Sequence, residues 1–183
     1  EGLVATYAGT RALAEYIDLG RRKAKQDTGQ QGPLAPGEDI EEFRRLYGTK
    51  PFTPIAFSPG QVVEAYIGLD GGSTSTKAVL TNGEGNLLAK AYQLCKGNPL
   101  EDAKDVLGEL RRQVEAQGAH LRILGMATTG YAKDLLKEAL GADLAIPETV
   151  AHARSALRYY PDVDVIADVG GQDIKVIIMK AGA

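Results

Sequence analysis

The chain has 183 residues, of which 44% are hydrophobic and 25% charged, and its formal net charge at pH 7 is −3. This is the composition of an ordinary globular domain, and the negative charge argues against a general surface for nucleic acid or anionic membrane. The sequence contains no apolar run near the roughly 20 residues that span a bilayer. One cysteine cannot form an intramolecular disulfide, and without a secretory leader we expect a cytoplasmic protein. Because residue 1 is Glu rather than Met, we also expect an excised part of a longer protein.

Residues 1–63 are predicted to form a helical segment and a linker ahead of the regular domain. Apolar residues recur at helical spacing over residues 3–25, which predicts a helix with one packing face. A polar stretch rich in Pro and Gly follows at residues 30–37. Residues 39–47 are predicted to form a short amphipathic helix with Asp39 as its N-cap. This segment contains no recognisable catalytic constellation.

From residue 64 onward the pattern predicts a mixed α/β domain. Three strands form an antiparallel meander at residues 65–70, 76–81 and 87–94, and helices then alternate with further strands. This order predicts a mixed sheet that carries helices. The elements predicted after the meander are a helix at 99–117, a strand at 121–127, a helix at 131–140, an extended piece at 143–146 and a helix at 148–160.

A glycine-rich turn joins the first two predicted strands. Asp70 ends the first strand, and the turn reads Gly-Gly-Ser-Thr-Ser over residues 71–75. Glycine adopts backbone angles that other residues resist, so successive N–H groups can point into one concave turn, to which Lys77 adds a cation. Such a turn suits a phosphate chain whose Mg²⁺ is held by the aspartate through retained waters. Taken alone, it is also typical of a purely structural hairpin.

A second copy of this pattern lies near the end of the sequence. Residues 163–168 form an apolar run that ends in Asp168, and Val-Gly-Gly-Gln-Asp turns the chain into a strand at 174–179. In both copies a lysine follows the aspartate by seven positions, Lys77 after Asp70 and Lys175 after Asp168. Two facing Asp-Gly-Gly hairpins predict a site that clamps a triphosphate from both sides.

Four motifs resemble the ATP-dependent activators of 2-hydroxyacyl-CoA dehydratases and the related benzoyl-CoA reductase ATPase subunits, which belong to the actin-like ATPase superfamily. They occur in the order found in that family and cover residues 64–183. The resemblance implies a ribonuclease-H-like mixed sheet with helices, which is one lobe of an actin-like ATPase fold whose second lobe is absent. The motifs are GLDGGSTSTK at 68–77, Thr129-Gly130-Tyr131, Glu148 with His152-Ala153, and DVGGQDIK at 168–175.

The resemblance also implies a role for individual residues. Asp70 and Asp168 would hold Mg²⁺, mostly through water, and Glu148 would orient the attacking water. From the residues alone, Glu148 is explained as well by a helix-terminal acid that stabilises the helix dipole. The implied catalytic residues are Asp70, Glu148, Asp168 and Gln172. The implied phosphate-binding residues are Gly71, Gly72, Ser73, Thr74, Lys77, Gly170, Gly171 and Gln172.

The family implies ATP and Mg²⁺ as cofactors and an acyl-CoA dehydratase or reductase as the protein partner. Its members share a [4Fe–4S] cluster between two subunits, which implies a homodimer. This chain has Ala151 where the family has its first cluster cysteine, so the sequence does not support a cluster. Cys95 is predicted to be a buried apolar thiol, and His120 and His152 ordinary surface or helix residues. Tyr131 could line the cleft, but a tyrosine that opens a helix is more typical of packing.

Two other functions remain open for the same fold. One is a small-molecule kinase of the acetate or sugar kinase type, which needs an acceptor pocket with a base near the γ-phosphate. The other is an assembly module in which the nucleotide acts as a structural switch. Fold analogy does not separate these functions. The details of the motifs at 129–131 and 171–173 favour the activator.

Overall fold

The computed structural model describes residues 9–20, 23, 40–48, 51–171 and 173–180, and the chain divides into two units, Glu1–Phe52 and Thr53–Ala183. In the first unit, α1 (Thr10–Glu15) continues into a π-helical turn (Tyr16–Gly20), and α2 spans Ile40–Tyr47. The predicted packing face of the first helix is not buried, since Leu13 and Ile17 are both exposed. The predicted N-cap Asp39 and the linker at 30–37 lie outside the described residues.

The second unit contains strands and helices that form two sheets. The strands are β1 (Val62–Gly71), β2 (Ser75–Thr81), β3 (Leu87–Leu94), β4 (His120–Thr129), β5 (Leu144–Ala145), β6 (Val165–Val169) and β7 (Ile174–Ile178). The helices that alternate with the later strands are α3 (Pro99–Glu115), α4 (Lys133–Leu140) and α5 (Glu148–Tyr159). One sheet has five strands in the order β3-β2-β1-β4-β5, and the other is a separate antiparallel pair, β6 and β7.

Helix α3 begins at Pro99, the start that the sequence predicts. The side chain of Asn98 accepts hydrogen bonds from the backbone N–H groups of Leu100 and Glu101, and Pro99 occupies the first turn, where a missing N–H costs nothing. Its buried apolar residues recur at helical spacing and cover one face of the sheet. These residues are Ala103, Val106, Leu110 and Val114.

The hydrophobic core lies between the five-stranded sheet and the helices α3 and α4. Leu69 and Leu80 enter it from the sheet, and Leu110 and Leu136 enter it from the helices; all four are fully buried. Fully burying a leucine contributes roughly 1.5–3 kcal/mol, so this layer fixes the strands relative to α3 and α4.

The strand directions bring several chain turns to one edge of the sheet. Strand β1 runs antiparallel to β2 and parallel to β4, and β4 runs parallel to β5. The carboxyl ends of β1, β4 and β5 therefore share the edge where the β1–β2 turn lies. In open α/β sheets, ligands bind outside the carboxyl ends of the strands.

The predicted fold class is confirmed, and the predicted strands and helices of the second unit are all present. Strand β1 begins at Val62, three residues before the predicted start, and α4 begins at Lys133 rather than at residue 131. Among the residues that the structure describes, no helix combines the length and apolar character needed to cross a bilayer.

Candidate functional site

The first Asp-Gly-Gly turn carries a carboxylate with one engaged and one free oxygen. Asp70 pairs with Lys77 across the β1–β2 ladder, and Lys77 Nζ donates to Asp70 Oδ2 at 3.0 Å. Asp70 Oδ1 is buried and has no hydrogen-bond partner among the described residues. A buried carboxylate oxygen without a partner is costly, so Asp70 is suited to a water or a cation.

The glycines of this turn are required by close packing. Neither Gly71 nor Gly72 has a positive φ, which corrects the expectation that unusual backbone angles explain them. A Cβ at Gly71 would lie 2.5 Å from Leu136 Cδ1, and a Cβ at Gly72 would lie 2.8 Å from the carbonyl oxygen of Ser75. The turn is therefore tight because α4 and the start of β2 leave no room for a side chain.

The second Asp-Gly-Gly turn lies directly against the first. In β6 and β7, Asp168 pairs with Lys175, the same register that joins Asp70 to Lys77. A Cβ at Gly171 would lie 2.5 Å from Thr74 Oγ1, so the two turns are in contact. Gln172, predicted to bind phosphate, lies outside the described residues.

Both turns line one open cleft of about 1460 Å³. The cleft also receives the first residues of α3, α4 and α5, since Asn98, Lys133 and Glu148 line it. Helix N-termini favour bound anions. The predicted site residues that line this cleft are Asp70, Gly72, Ser73, Thr74, Lys77, Glu148, Gly170 and Gly171.

The charges that line the cleft are mixed. Five carboxylates face three lysines there, so these side chains leave the wall net negative. A triphosphate is itself strongly anionic and would be repelled unless a cation came with it. The free oxygen of Asp70, together with this charge balance, fits an anionic ligand that enters with a divalent cation. The acidic residues are Asp70, Asp102, Asp134, Glu148 and Asp173, and the basic ones are Lys77, Lys133 and Lys175.

The two aspartates differ in their partners. Asp168 Oδ2 lies 2.8 Å from His152 Nδ1, whereas Lys175 turns to Asp173 at 2.8 Å and to Glu148 at 3.6 Å. The hydrogen bond to Asp173, aided by the nearby carboxylates, raises the pKa of Lys175. The side chain of Lys175 is therefore positively charged in the cleft at neutral pH.

His152 lies beside Asp168, a contact that the sequence did not reveal. It was predicted to be an ordinary helix residue because no other His or Cys stands at ligand spacing, and it does lie on α5, partly buried. Its partners are carboxylates: Glu148 four residues earlier on α5 and Asp168 on β6, and ligand atoms of all three lie within 4.8 Å of one another. The i, i+4 spacing of Glu148 and His152 was the available signal.

The position of Glu148 is compatible with both explanations offered for it. It is the first residue of α5, where a carboxylate is stabilised by the helix dipole. Its side chain also lines the cleft and faces Lys175. A helix-terminal position and a place in the cleft are therefore compatible for this residue.

The turn after β4 holds Asp70 in place. Gly130 has φ +82°, and a Cβ there would collide with Asp70 Oδ1 and with the backbone of Gly71. Ala132 N–H donates to the carbonyl oxygen of Gly71 at 2.9 Å. Tyr131, predicted to pack, is instead 82% exposed at the cleft.

Cys95 belongs to the cleft as well. The prediction of a buried apolar thiol is wrong, because Cys95 is only half-buried and lines the cleft. Its thiol donates to the carbonyl oxygen of Gly72 at 3.0 Å, and its N–H donates to the carbonyl oxygen of Thr74 at 3.0 Å. The end of β3 therefore supports the first turn from outside.

The chain belongs to the BadF/BadG/BcrA/BcrD ATPase family, whose model matches residues 67–183. This confirms the family inferred from the motifs. A curated relative is the (R)-2-hydroxyglutaryl-CoA dehydratase activating ATPase of Acidaminococcus fermentans, which is 30% identical over 122 residues. The match covers 63% of this chain and 43% of the relative, so the chain spans less than half of that protein.

Two solved structures are similar to this chain. Component A of the Acidaminococcus fermentans (R)-2-hydroxyglutaryl-CoA dehydratase has a TM-score of 0.56 at 25% identity and covers 66% of this chain and 44% of its own. The activator of the 2-hydroxyisocaproyl-CoA dehydratase from Clostridium difficile, with bound ADPNP, has a TM-score of 0.54 at 28% identity. That match covers 63% of this chain and 41% of the activator.

Proposed function

We propose that this chain forms one wall of the Mg·ATP site in an ATPase that activates a CoA-ester dehydratase or reductase. The observation that carries the proposal is the contact between the two Asp-Gly-Gly turns across a single cleft, at Gly171 and Thr74. Membership in an ATPase family supports the nucleotide, and the relatives named as dehydratase activators support the role.

Asp70 and Asp168 are proposed to hold Mg²⁺ through water. Asp70 offers an oxygen that has no partner among the described residues, and the net negative wall around it favours a cation. When bound, Mg²⁺ neutralises charge on the phosphates. Lys77 already offsets part of the charge of Asp70 through its 3.0 Å ion pair.

The two turns are proposed to bind the phosphates through backbone N–H groups. Close packing against Leu136 fixes the first turn, and contact with Thr74 fixes Gly171 beside it. Donors that are already in position need no rearrangement when charge develops on the phosphates, and this is the main source of catalysis in phosphoryl transfer. The proposed donors are Gly71, Gly72, Ser73, Thr74, Gly170, Gly171 and Gln172.

Glu148 is proposed to orient the attacking water. Its carboxylate lines the cleft beside Lys175, whose positive charge keeps it close to the second turn. Positioning of this kind, rather than covalent chemistry, is what hydrolysis of a phosphoanhydride needs from the protein.

Coupling of hydrolysis to low-potential electron transfer is proposed for the full-length protein and its partner. An iron–sulfur cluster does not fit the described residues, since its ligands are cysteine thiolates. Ala151, at the position of the family's first cluster cysteine, lies in an apolar groove with Gly68 and Ala127. The single cysteine, Cys95, is bonded to the first turn.

The experiment is a steady-state assay of Mg·ATP hydrolysis by the full-length protein. We expect Asp70→Asn and Asp168→Asn each to lower the rate at least about a hundredfold, since removal of one electrostatic group commonly costs that much. Asp105→Asn is the matched control, because Asp105 pairs with Lys96 on the surface outside the cleft. Normal turnover in both cleft variants would refute the proposed site.

A further inference from the structure

A cluster of two carboxylates and one imidazole lies where α5 meets β6. Glu148 and His152 are four residues apart on α5 and therefore share one face of the helix. Asp168 approaches from β6, and one ligand atom of each residue lies within 4.8 Å of the others. All three side chains are partly shielded, with exposed fractions of 37%, 33% and 18% for Glu148, His152 and Asp168.

We propose that Glu148, His152 and Asp168 directly ligate a divalent ion of the first transition row, such as Zn²⁺ or Co²⁺. Imidazole together with carboxylate suits these metals, whereas Mg²⁺ prefers oxygen ligands and keeps its waters. Three protein ligands leave at least one coordination position open for water or a phosphate oxygen.

The spacing of the ligand atoms is compatible with one metal. Bonds from zinc to nitrogen and oxygen ligands are about 2.0–2.2 Å long, so neighbouring ligand atoms in a site lie about 3 Å apart. His152 Nδ1 and Asp168 Oδ2 are already 2.8 Å apart. The metal takes the place of the proton between them, and the neutral ring then carries its proton on Nε2.

Lys175 sets the charge around the cluster. Its ammonium lies 2.8 Å from Asp173 and 3.6 Å from Glu148, so Asp173 is its closer partner and Glu148 remains exchangeable. Two carboxylates, one lysine and a neutral imidazole leave a net negative charge around the three ligand positions. The other explanation of the same geometry is that His152 only orients Asp168 through a hydrogen bond.

This assignment goes beyond the proposed ATPase function, although Glu148 and Asp168 are used by both. Direct ligation requires no nucleotide, and the Mg²⁺ proposed for the ATPase is held through water. The two ideas can therefore fail independently: the metal site by titration without ATP, and the ATPase by the hydrolysis assay.

The experiment is a calorimetric titration of Zn²⁺ into the 183-residue chain without nucleotide, repeated with Co²⁺ and followed by its visible absorption. We expect one metal ion per chain, and Mg²⁺ in excess should not displace it. His152→Gln and Glu148→Gln should each weaken binding at least about tenfold, the lower range for disturbing a metal site. Urea unfolding of each variant checks that it is folded.

His120→Gln is the matched control, because the sequence has two histidines and His120 lies exposed at the start of β4. Its affinity for Zn²⁺ should equal that of the parent chain. Absence of binding, equal losses in His120→Gln and His152→Gln, or unchanged affinity in folded His152→Gln and Glu148→Gln would each overturn the metal site. The last result would leave His152 as a residue that only orients Asp168.

Discussion

The two Asp-Gly-Gly hairpins share a glycine pair and an Asp that faces a Lys seven positions later, although Val169 precedes the glycines in the second, and their surroundings differ. The first is part of the five-stranded sheet, and its turn packs on Leu136 in the core. The second is a two-stranded ribbon whose outward residues, including Val169 and Ile178, are largely exposed. It is held by the contact between Asp168 and His152 and by the contact between Gly171 and Thr74.

This difference shows two ways of placing the same turn. Core packing makes the first turn rigid, because shifting it would open a cavity around fully buried side chains. The second turn depends on a few polar contacts, each worth about 1 kcal/mol. We therefore expect substitutions near the first turn to reduce global stability, and substitutions near the second to act locally or on ligand affinity.

The largest expected effect is that of Leu136→Ala. Leu136 is fully buried against Gly71, so truncation should cost about 2–5 kcal/mol of unfolding free energy. Ile178→Ala, on the exposed face of the second hairpin, should change it by less than about 0.5 kcal/mol. Urea denaturation measures both. Similar losses in the two variants would contradict the contrast between a packed and an exposed hairpin.

The next largest effect is expected for Gly130→Ala. A non-glycine residue at positive φ costs about 1–2 kcal/mol, and here the new methyl group would also collide with Asp70 Oδ1 and Gly71. Gly141→Ala is the matched control, since Gly141 has φ +64° with nothing within 4 Å of the added Cβ. We expect Gly130→Ala to cost more stability than Gly141→Ala and to reduce ATP hydrolysis, which the control leaves intact. Equal costs would mean that the packing on Asp70 is unimportant.

Gly171→Ala tests the contact between the turns. Its Cβ would meet Thr74, and the exposed second hairpin can move aside, so the unfolding free energy should change little. The binding free energy of Mg·ATP should become less favourable by about 1–3 kcal/mol, which is the usual size of an overpacking cost. Gly83→Ala, in a turn with open space around the added Cβ, is the control. Nucleotide titration of the full-length protein measures both, and an unchanged affinity in Gly171→Ala would separate the second turn from the site.

The smallest effect is a pH dependence of the second hairpin. The bond to Asp173 raises the pKa of Lys175 above its ordinary value of 10.5. The stabilisation from a raised pKa is complete below the unfolded-state value and is lost as pH rises through the folded-state value. Melting temperatures of the parent chain should therefore approach those of Lys175→Met only in the alkaline range. A difference that vanishes near neutral pH would contradict this.

Much of the fold could be predicted from the sequence, because the signals involved are local. The period-two strands, Asn98-Pro99 before α3 and Gly141 after α4 each act within a few residues of their own position. The equal spacing of Asp and Lys in both hairpins was visible in the sequence, and the structure shows that each Asp faces its Lys across the ladder.

The details of the site depended on tertiary contacts that no local pattern contains. Lys175 faces Asp168 in the ladder but binds Asp173 and Glu148, because α5 brings Glu148 and His152 beside it. Gly71 must be a glycine because α4 packs on it, and the sequence of residues 70–75 does not predict that contact. Cys95 was misjudged for the same reason, since its partner Gly72 lies 23 positions away.

The most direct test of the account is amide NMR of the full-length protein during titration with Mg·ATP. We predict that four amide signals shift together and report one dissociation constant: those of Ser73 and Thr74 in the first turn and of Gly170 and Gly171 in the second. The amide signal of Gly83 should not shift. Shifts confined to one turn, or two different constants, would contradict a single site built by both hairpins.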